Sequence, residues 1–191
     1  MSLQYANKAL EYSIKLQEYE LAAKSYNLIG LNFADFADEK KAIDYYKKGL
    51  EYANKTSNDT IKCWLTNNIA NIYSYNKIDF KESIKYYKLG LYYSVKFNDE
   101  YEITFNKLNM VTAYFSMGDY QNGIVYLNEV KKYVDTKGDV EAKITLNTLY
   151  ADYYNQLNQD EKAEEYYLKS LEYCSQNEVD FINTHVSNTF K

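Results

Sequence analysis

The chain has no proline, no arginine and only six glycines in 191 residues. Proline and glycine are the residues that most readily interrupt helices, so their scarcity favours an all-helical fold. Every one of the 22 basic residues is lysine, set against 27 acidic residues for a net charge of −5. Readers of nucleic acid lean on arginine and on a basic patch, so no nucleic-acid contact by this segment is expected. Nor does any apolar run approach the roughly 18 residues of a membrane span, and no membrane insertion is expected of this segment. The two cysteines, Cys63 and Cys174, are too few for a disulfide framework and read as small apolar fillers. Their lack of pairing leaves the compartment open between cytoplasm and periplasm.

Chemistry is equally scarce. The one histidine, His185, supplies neither a converging metal-ligand set nor a nucleophile–base pair, and no glycine-rich phosphate loop is present. The chain therefore reads as a non-enzyme with no cofactor and no metal. The acidic clusters Asp99-Glu100-Glu102 and Glu161-Glu164-Glu165 are expected to be solvated helix faces and first turns, favoured there by the helix dipole.

What the chain does have is 24 tyrosines and a phrase that returns. "AIDYYKKGLEY" from Ala42 is answered by "SIKYYKLGLYY" from Ser83, "GIVYLNEVKKY" from Gly123 and "AEEYYLKSLEY" from Ala163. The small residues Ala42, Ser83, Gly123 and Ala163 lie 41, 40 and 40 positions apart. Four residues on stand Tyr46, Tyr87, Leu127 and Tyr167, all large. Three further on come Gly49, Gly90, Val130 and Ser170, then Tyr52, Tyr93, Tyr133 and Tyr173, with Tyr12 one period earlier. Offsets of this kind fall on one face of a helix. A second helix lies between the copies, marked by Gly30/Phe33, Ala70/Tyr73, Val111/Tyr114 and Ala151/Tyr154. Polar turns separate the two helices of each unit. The later helix of each pair ends near "TSND", "FND" or "KGD", where Asn or Gly closes one helix and Asp caps the next. Cys63 and Cys174, almost three units apart in such an array, are too distant to bridge.

A period near 40 residues holding two helices is a solenoid signature. The motif Val111…Tyr114…Gly118-Asp119-Tyr120…Gly123, with Ala151…Tyr154…Ala163…Tyr167…Ser170, resembles the tetratricopeptide repeat (TPR). The period of 40 and the absence of a proline after the second helix depart from the usual pattern and allow longer helices, and "NNIANIY" (67–73) resembles the long-helix repeats of kinesin light chains and bacterial regulators. The resemblance implies an all-α fold, a right-handed α-α superhelix (TPR solenoid) of antiparallel helix pairs with about four repeats. Residues 1–191 read as a single array: a partial repeat at 1–17, repeats at 18–57, 58–97, 98–137 and 138–177, and a partial first helix at 178–191. Incomplete units at both ends suggest a piece of a longer protein, with a homodimer through the uncapped ends as one expectation.

In the family, the first helix of each repeat lines a concave groove that holds ligand. Carried over by position, the groove row is Lys24, Asn27 and Leu31; Trp64, Asn67 and Asn71; Phe105, Leu108 and Thr112; and Thr145, Thr148 and Asp152, with His185 at the matching place in the next repeat. Trp64 and Phe105 either face this groove or turn sideways between repeats. The amides and hydroxyls suit a peptide backbone. A carboxylate clamp of the chaperone type is disfavoured without arginine. The resemblance thus implies a protein- or peptide-binding module, the sensor or adaptor region of a larger bacterial signal-transduction or transcription-regulatory protein. A structural spacer or self-association scaffold with no groove ligand is the alternative.

Overall fold

The computed structural model describes residues 3–176. His185 and the segment 178–191 lie outside the described residues. Among the described residues there are helices and turns only: α1 (Leu3–Lys15), α2 (Tyr19–Asp35), α3 (Glu39–Ala53), α4 (Asp59–Tyr75), α5 (Phe80–Lys96), α6 (Glu100–Ser116), α7 (Tyr120–Lys137), α8 (Val140–Gln156) and α9 (Asp160–Gln176). Two compact units form, one up to Asn106 and one from Lys107, with the division inside α6.

Helices pack on their chain neighbours. In the first unit α1 lies on α2, α2 on α3, α3 on α4 and α4 on α5, and α2 also touches α4. In the second, α7 lies on α8 and α8 on α9. The close approach within a pair comes from a large side chain set against a small one. Tyr46, on α3, is 1% exposed, and a Cβ placed on Gly30 would lie 2.5 Å from its ring. Tyr87 and Leu127 fill the same place on α5 and α7, and both are fully buried. The small partners vary with the large ones. Gly30 and Ala70 stand at the tyrosine-bearing repeats, whereas Val111 stands at the repeat whose large residue is Leu127. A buried tyrosine also needs a partner for its hydroxyl. Tyr87 donates to Asn71 Oδ1 at 2.6 Å, and Tyr167 to Asp152 Oδ1 at 2.7 Å.

A second column holds each pair at its outer edge. Phe33 stacks on Tyr45 (5.2 Å between centroids, 11°), Tyr73 on Tyr86 (6.1 Å, 15°), Tyr114 on Tyr126 (6.0 Å, 10°) and Tyr154 on Tyr166 (5.5 Å, 17°). Each of the four helix pairs thus carries one near-parallel rung. Such a rung contributes about 0.5–1.5 kcal/mol beyond the area it buries. Lys41 and Lys162 lie over the Phe33 and Tyr154 rings at 5.2 and 5.0 Å, adding a cation–π contact.

The turns supply what proline and glycine do not. Gln17, Ala37, Lys77, Asn98, Gly118 and Asn158 all have positive φ, between 53° and 76°. Each ends a helix by the same pair of backbone bonds. Ala37 N–H donates to the Ala34 carbonyl and Asp38 N–H to that of Phe33; Gly118 and Asp119 repeat this on Phe115 and Tyr114. This is the left-handed helix stop that usually selects glycine. The following acid then opens the next helix: Asp38 accepts from Lys41 N–H, Asp79 from Lys81 and Glu82, and Asp119 from Asn122. The three quoted turn phrases behave differently from one another. In "FND" Asn98 closes α5 and Asp99 accepts from the first turn of α6. In "TSND" Asn58 is itself the cap of α4, because its side chain accepts from Ile61 N–H. In "KGD" Gly138 is extended, with φ −63°, and Asp139 caps α8.

Two expected outcomes follow from these geometries. A left-handed residue with a Cβ is strained by about 1 kcal/mol relative to glycine. Ala37→Gly should therefore stabilise by several tenths of a kcal/mol once the added chain entropy is offset, and Gly118→Ala should destabilise by about 1 kcal/mol. Urea unfolding of both variants checks the signs. At the packing column, Gly30→Val and Tyr46→Leu should each cost about 1–3 kcal/mol alone. The double variant, which recreates the Val111/Leu127 pairing, should cost at least about 1 kcal/mol less than their sum.

Candidate functional site: the exposed face of the first helices

The groove positions divide by their place in the helical turn. Lys24 and Leu31 on α2 are exposed, as is Trp64 on α4, at 44%. Seven residues separate Lys24 from Leu31 and Trp64 from Asn71, so each pair lies on one face. Trp64 is thus open to solvent and not packed away between helices. Lys24 is held to Glu20 at 2.8 Å. Phe105 and Thr145 are partly exposed on α6 and α8. Asn71 and Asp152 are partly buried and already accept the tyrosine hydroxyls of their own repeats. Thr112 is half-buried and donates to the Leu108 carbonyl of its own helix.

Three positions of the row turn inward. Asn67, Leu108 and Thr148 are 5%, 5% and 8% exposed. This place in the first helix faces the small column of the second. Thr148 Oγ1 and Ser170 Oγ are 3.1 Å apart, and a Cβ on Gly90 would lie 2.2 Å from Asn67 Oδ1. These side chains stitch helix to helix, and only Asn27, in the first repeat, stays partly open at this position. Its partner is Asn68, a position outside the row expected from the sequence. Asn68 Nδ2 donates to Asn27 Oδ1 at 2.8 Å, joining α2 to α4 across the exposed face. The signal was available in sequence, since Asn68 lies four residues, about one turn, beyond Trp64.

Beneath Trp64 is a polar cluster. Cys63 is fully buried, and burial first, then the charge of Glu102, pushes its thiol up to about 12. The protonated sulfur lies 3.9 Å from Glu102 Oε2 and receives Asn67 Nδ2 at 3.6 Å and Asn106 Nδ2 at 3.8 Å. The Asn67 and Asn106 amide oxygens converge on Gly90, the one residue type that leaves room for them, and neither has a hydrogen-bond partner among the described residues. Glu102, expected on a solvated face, is half-buried instead. Burial and then the neighbouring Asp99 charge hold its carboxyl above the ordinary range, while the Trp64 indole and the Cys63 thiol pull the other way. Among the described residues no group of three His, Cys, Asp or Glu side chains is placed to hold a metal ion, and no helix is long and apolar enough to cross a membrane.

Glu102 gives a pH test. Its raised value means that the folded state favours the protonated form, so its stabilising contribution is full below the ordinary glutamate value and is lost as pH rises through the raised one. Glu102→Gln, neutral throughout, should raise the melting temperature at neutral pH by roughly one to three degrees. The gap should close below about pH 4. Thermal melts by circular dichroism at both pH values measure it.

Residues 23–56 and 144–177 match the tetratricopeptide repeat family model. No protein of curated function matches the chain in sequence. Among solved structures, the chain is similar to the signal transduction ATPase with numerous domains (STAND) protein with a tetratricopeptide repeat sensor from Pyrococcus horikoshii, at 23% identity and a TM-score of 0.74 over 89% of this chain and 28% of that one. It is similar also to a kinesin light chain-like protein of Podosopora anserina with nearly identical TPR-like repeats, at 12% identity and a TM-score of 0.72 over 93% and 87%. A Rap protein complexed with competence and sporulation factor aligns at 17% identity and a TM-score of 0.68, over 94% of this chain and 60% of that one. The helix pairs, their 40-residue period and these likenesses agree: the described helices have the fold of a tetratricopeptide-repeat array, and two of their segments match the repeat family itself.

Proposed function

We propose that the chain is a non-catalytic module that binds a protein or an extended peptide along the exposed face of its first helices. One observation carries this reading: Lys24, Leu31 and Trp64 lie open on adjacent helices, with the Asn27–Asn68 amide pair between them. Trp is the residue most favoured at the centre of binding surfaces, and the chain's single one stands exposed where packing between helices could have taken it. The amide pair keeps a donor on Asn27 and an acceptor lone pair on Asn68, the two functions of a peptide backbone. The Rap protein of similar fold, solved with competence and sporulation factor, and the STAND repeat sensor support a sensor or adaptor role in a larger bacterial signalling or regulatory protein.

A spacer or self-association scaffold is the second reading, favoured by Tyr92 and Val95, both more than half exposed on α5. The two readings part in one experiment. A pull-down from lysate of the source cell compares the wild type with Trp64→Ala/Phe105→Ala, with circular dichroism on both. A partner held by wild type and weakened thirtyfold or more in a still-helical variant, about 2 kcal/mol, is the outcome expected of a binding face. Equal retention by both, or dimers that form without ligand, moves the scaffold ahead.

A further inference from the structure

Four carboxylates of the first unit are paired with lysines. Asp59 has Lys62 at 3.0 Å and Lys96 at 3.7 Å, Glu20 has Lys24, Asp38 has Lys41 and Glu82 has Lys85. Glu102, more enclosed than the paired surface carboxylates, has no lysine among the described residues. The groups that face it are the Trp64 indole, the Cys63 thiol and the like charge of Asp99. Asp99 has its Oδ1 committed to the Tyr101 and Glu102 amides, so its charge adds to the negative potential of Glu102 and does not relieve it. The indole and the thiol donate to this carboxyl but carry no charge, and a half-buried charge without a counter-charge is costly to the fold.

The surroundings specify what would satisfy it. Trp64, 44% exposed, directs its indole N–H at the Glu102 carboxyl, so a side chain reaching that carboxyl passes along the open ring. Phe105 stacks with Tyr101 at 6.4 Å and 16°, giving an apolar wall on the same helix as Glu102. An aromatic face for an aliphatic stem and a carboxylate for its head match the two halves of a long basic side chain. The Asn68 amide lies one helical turn from Trp64, about 6 Å along α4, which is the reach of two residues of extended peptide. A net charge of −5 draws such a ligand in.

We propose that Trp64 and Glu102 form a cation-accepting subsite of the binding face, which takes a lysine or arginine side chain of an extended partner peptide while Asn27 and Asn68 hold that peptide's backbone. This rests on the reading of the exposed face as a binding surface, and adds the chemistry of the occupant. Glu102 is then a residue whose cost to the free protein is recovered on binding.

The test is a phage-displayed library of random peptides of about twelve residues, selected against the full chain. Selected peptides are then titrated by the fluorescence of Trp64, the only tryptophan. Enriched sequences should carry Lys or Arg at one fixed position, and Glu102→Gln should weaken them about tenfold or more while the variant's own melting temperature rises. Trp64→Leu, which keeps an apolar side chain but removes the aromatic face, should weaken the same peptides when binding is followed by calorimetry. Should Glu102→Gln fail to fold, the Trp64→Leu result decides. Enriched peptides without a basic preference, or basic peptides bound equally by the variants, overturn the subsite and leave the binding face standing. If no peptide is enriched, both fall.

Discussion

Everything in this molecule depends on how closely the two helices of a repeat can approach. That distance is set where one large side chain of the second helix meets one small residue of the first. Tyr46 against Gly30 shows the limit, since not even a methyl group fits between them. Where Leu127 replaces tyrosine, valine replaces glycine or alanine at position 111, so the separation is kept by a matched exchange. Close packing of this kind tolerates no unilateral change. The hydroxyl of a buried tyrosine adds a second condition, met by Asn71 and Asp152 on the opposing helix.

Most of this was legible in the sequence, because helix packing writes its period directly into residue size. The columns of small and large residues located each helix pair. The stacked rungs were half visible: Phe33, Tyr73, Tyr114 and Tyr154 stood out, but Tyr45, Tyr86, Tyr126 and Tyr166 were hidden beside the larger signal one residue on. A doubled tyrosine carries two roles, one buried and one at the edge, and a single-column reading assigns only one. The helix stops were less legible still. Ala37 and Lys77 adopt a backbone conformation that neither residue favours. They do so because the helices on either side are fixed by packing, which outweighs a local penalty of about 1 kcal/mol.

The exposed face was legible in its outline and not in its detail. Lys24, Leu31 and Trp64 are open, although for Trp64 the sequence left the choice between groove and core unmade. Asn67, Leu108 and Thr148 are not, because their place in the turn faces the second helix of the same repeat, a contact defined by Gly90 and Ser170 and not by anything local to the first helix. Glu102 was misread for the same reason. In sequence it belongs to an acidic first turn, and only the neighbouring helix, with Cys63 and Trp64, makes it half-buried. A residue's partners across a repeat boundary are tertiary facts. Periodicity locates the face; it does not say which neighbour covers it.

The turns also bear on how such a chain changes in length. At Ala37, Lys77, Asn98 and Gly118 the left-handed stop is followed within two residues by the aspartate that caps the next helix, so closing and opening are accomplished locally. Three of these four joints lie between the two helices of one repeat, and each is self-contained. A gene segment of one period, duplicated or lost at these joints, brings both of its ends with it and finds a compatible edge waiting. The number of units is then free to change without any one unit being rebuilt.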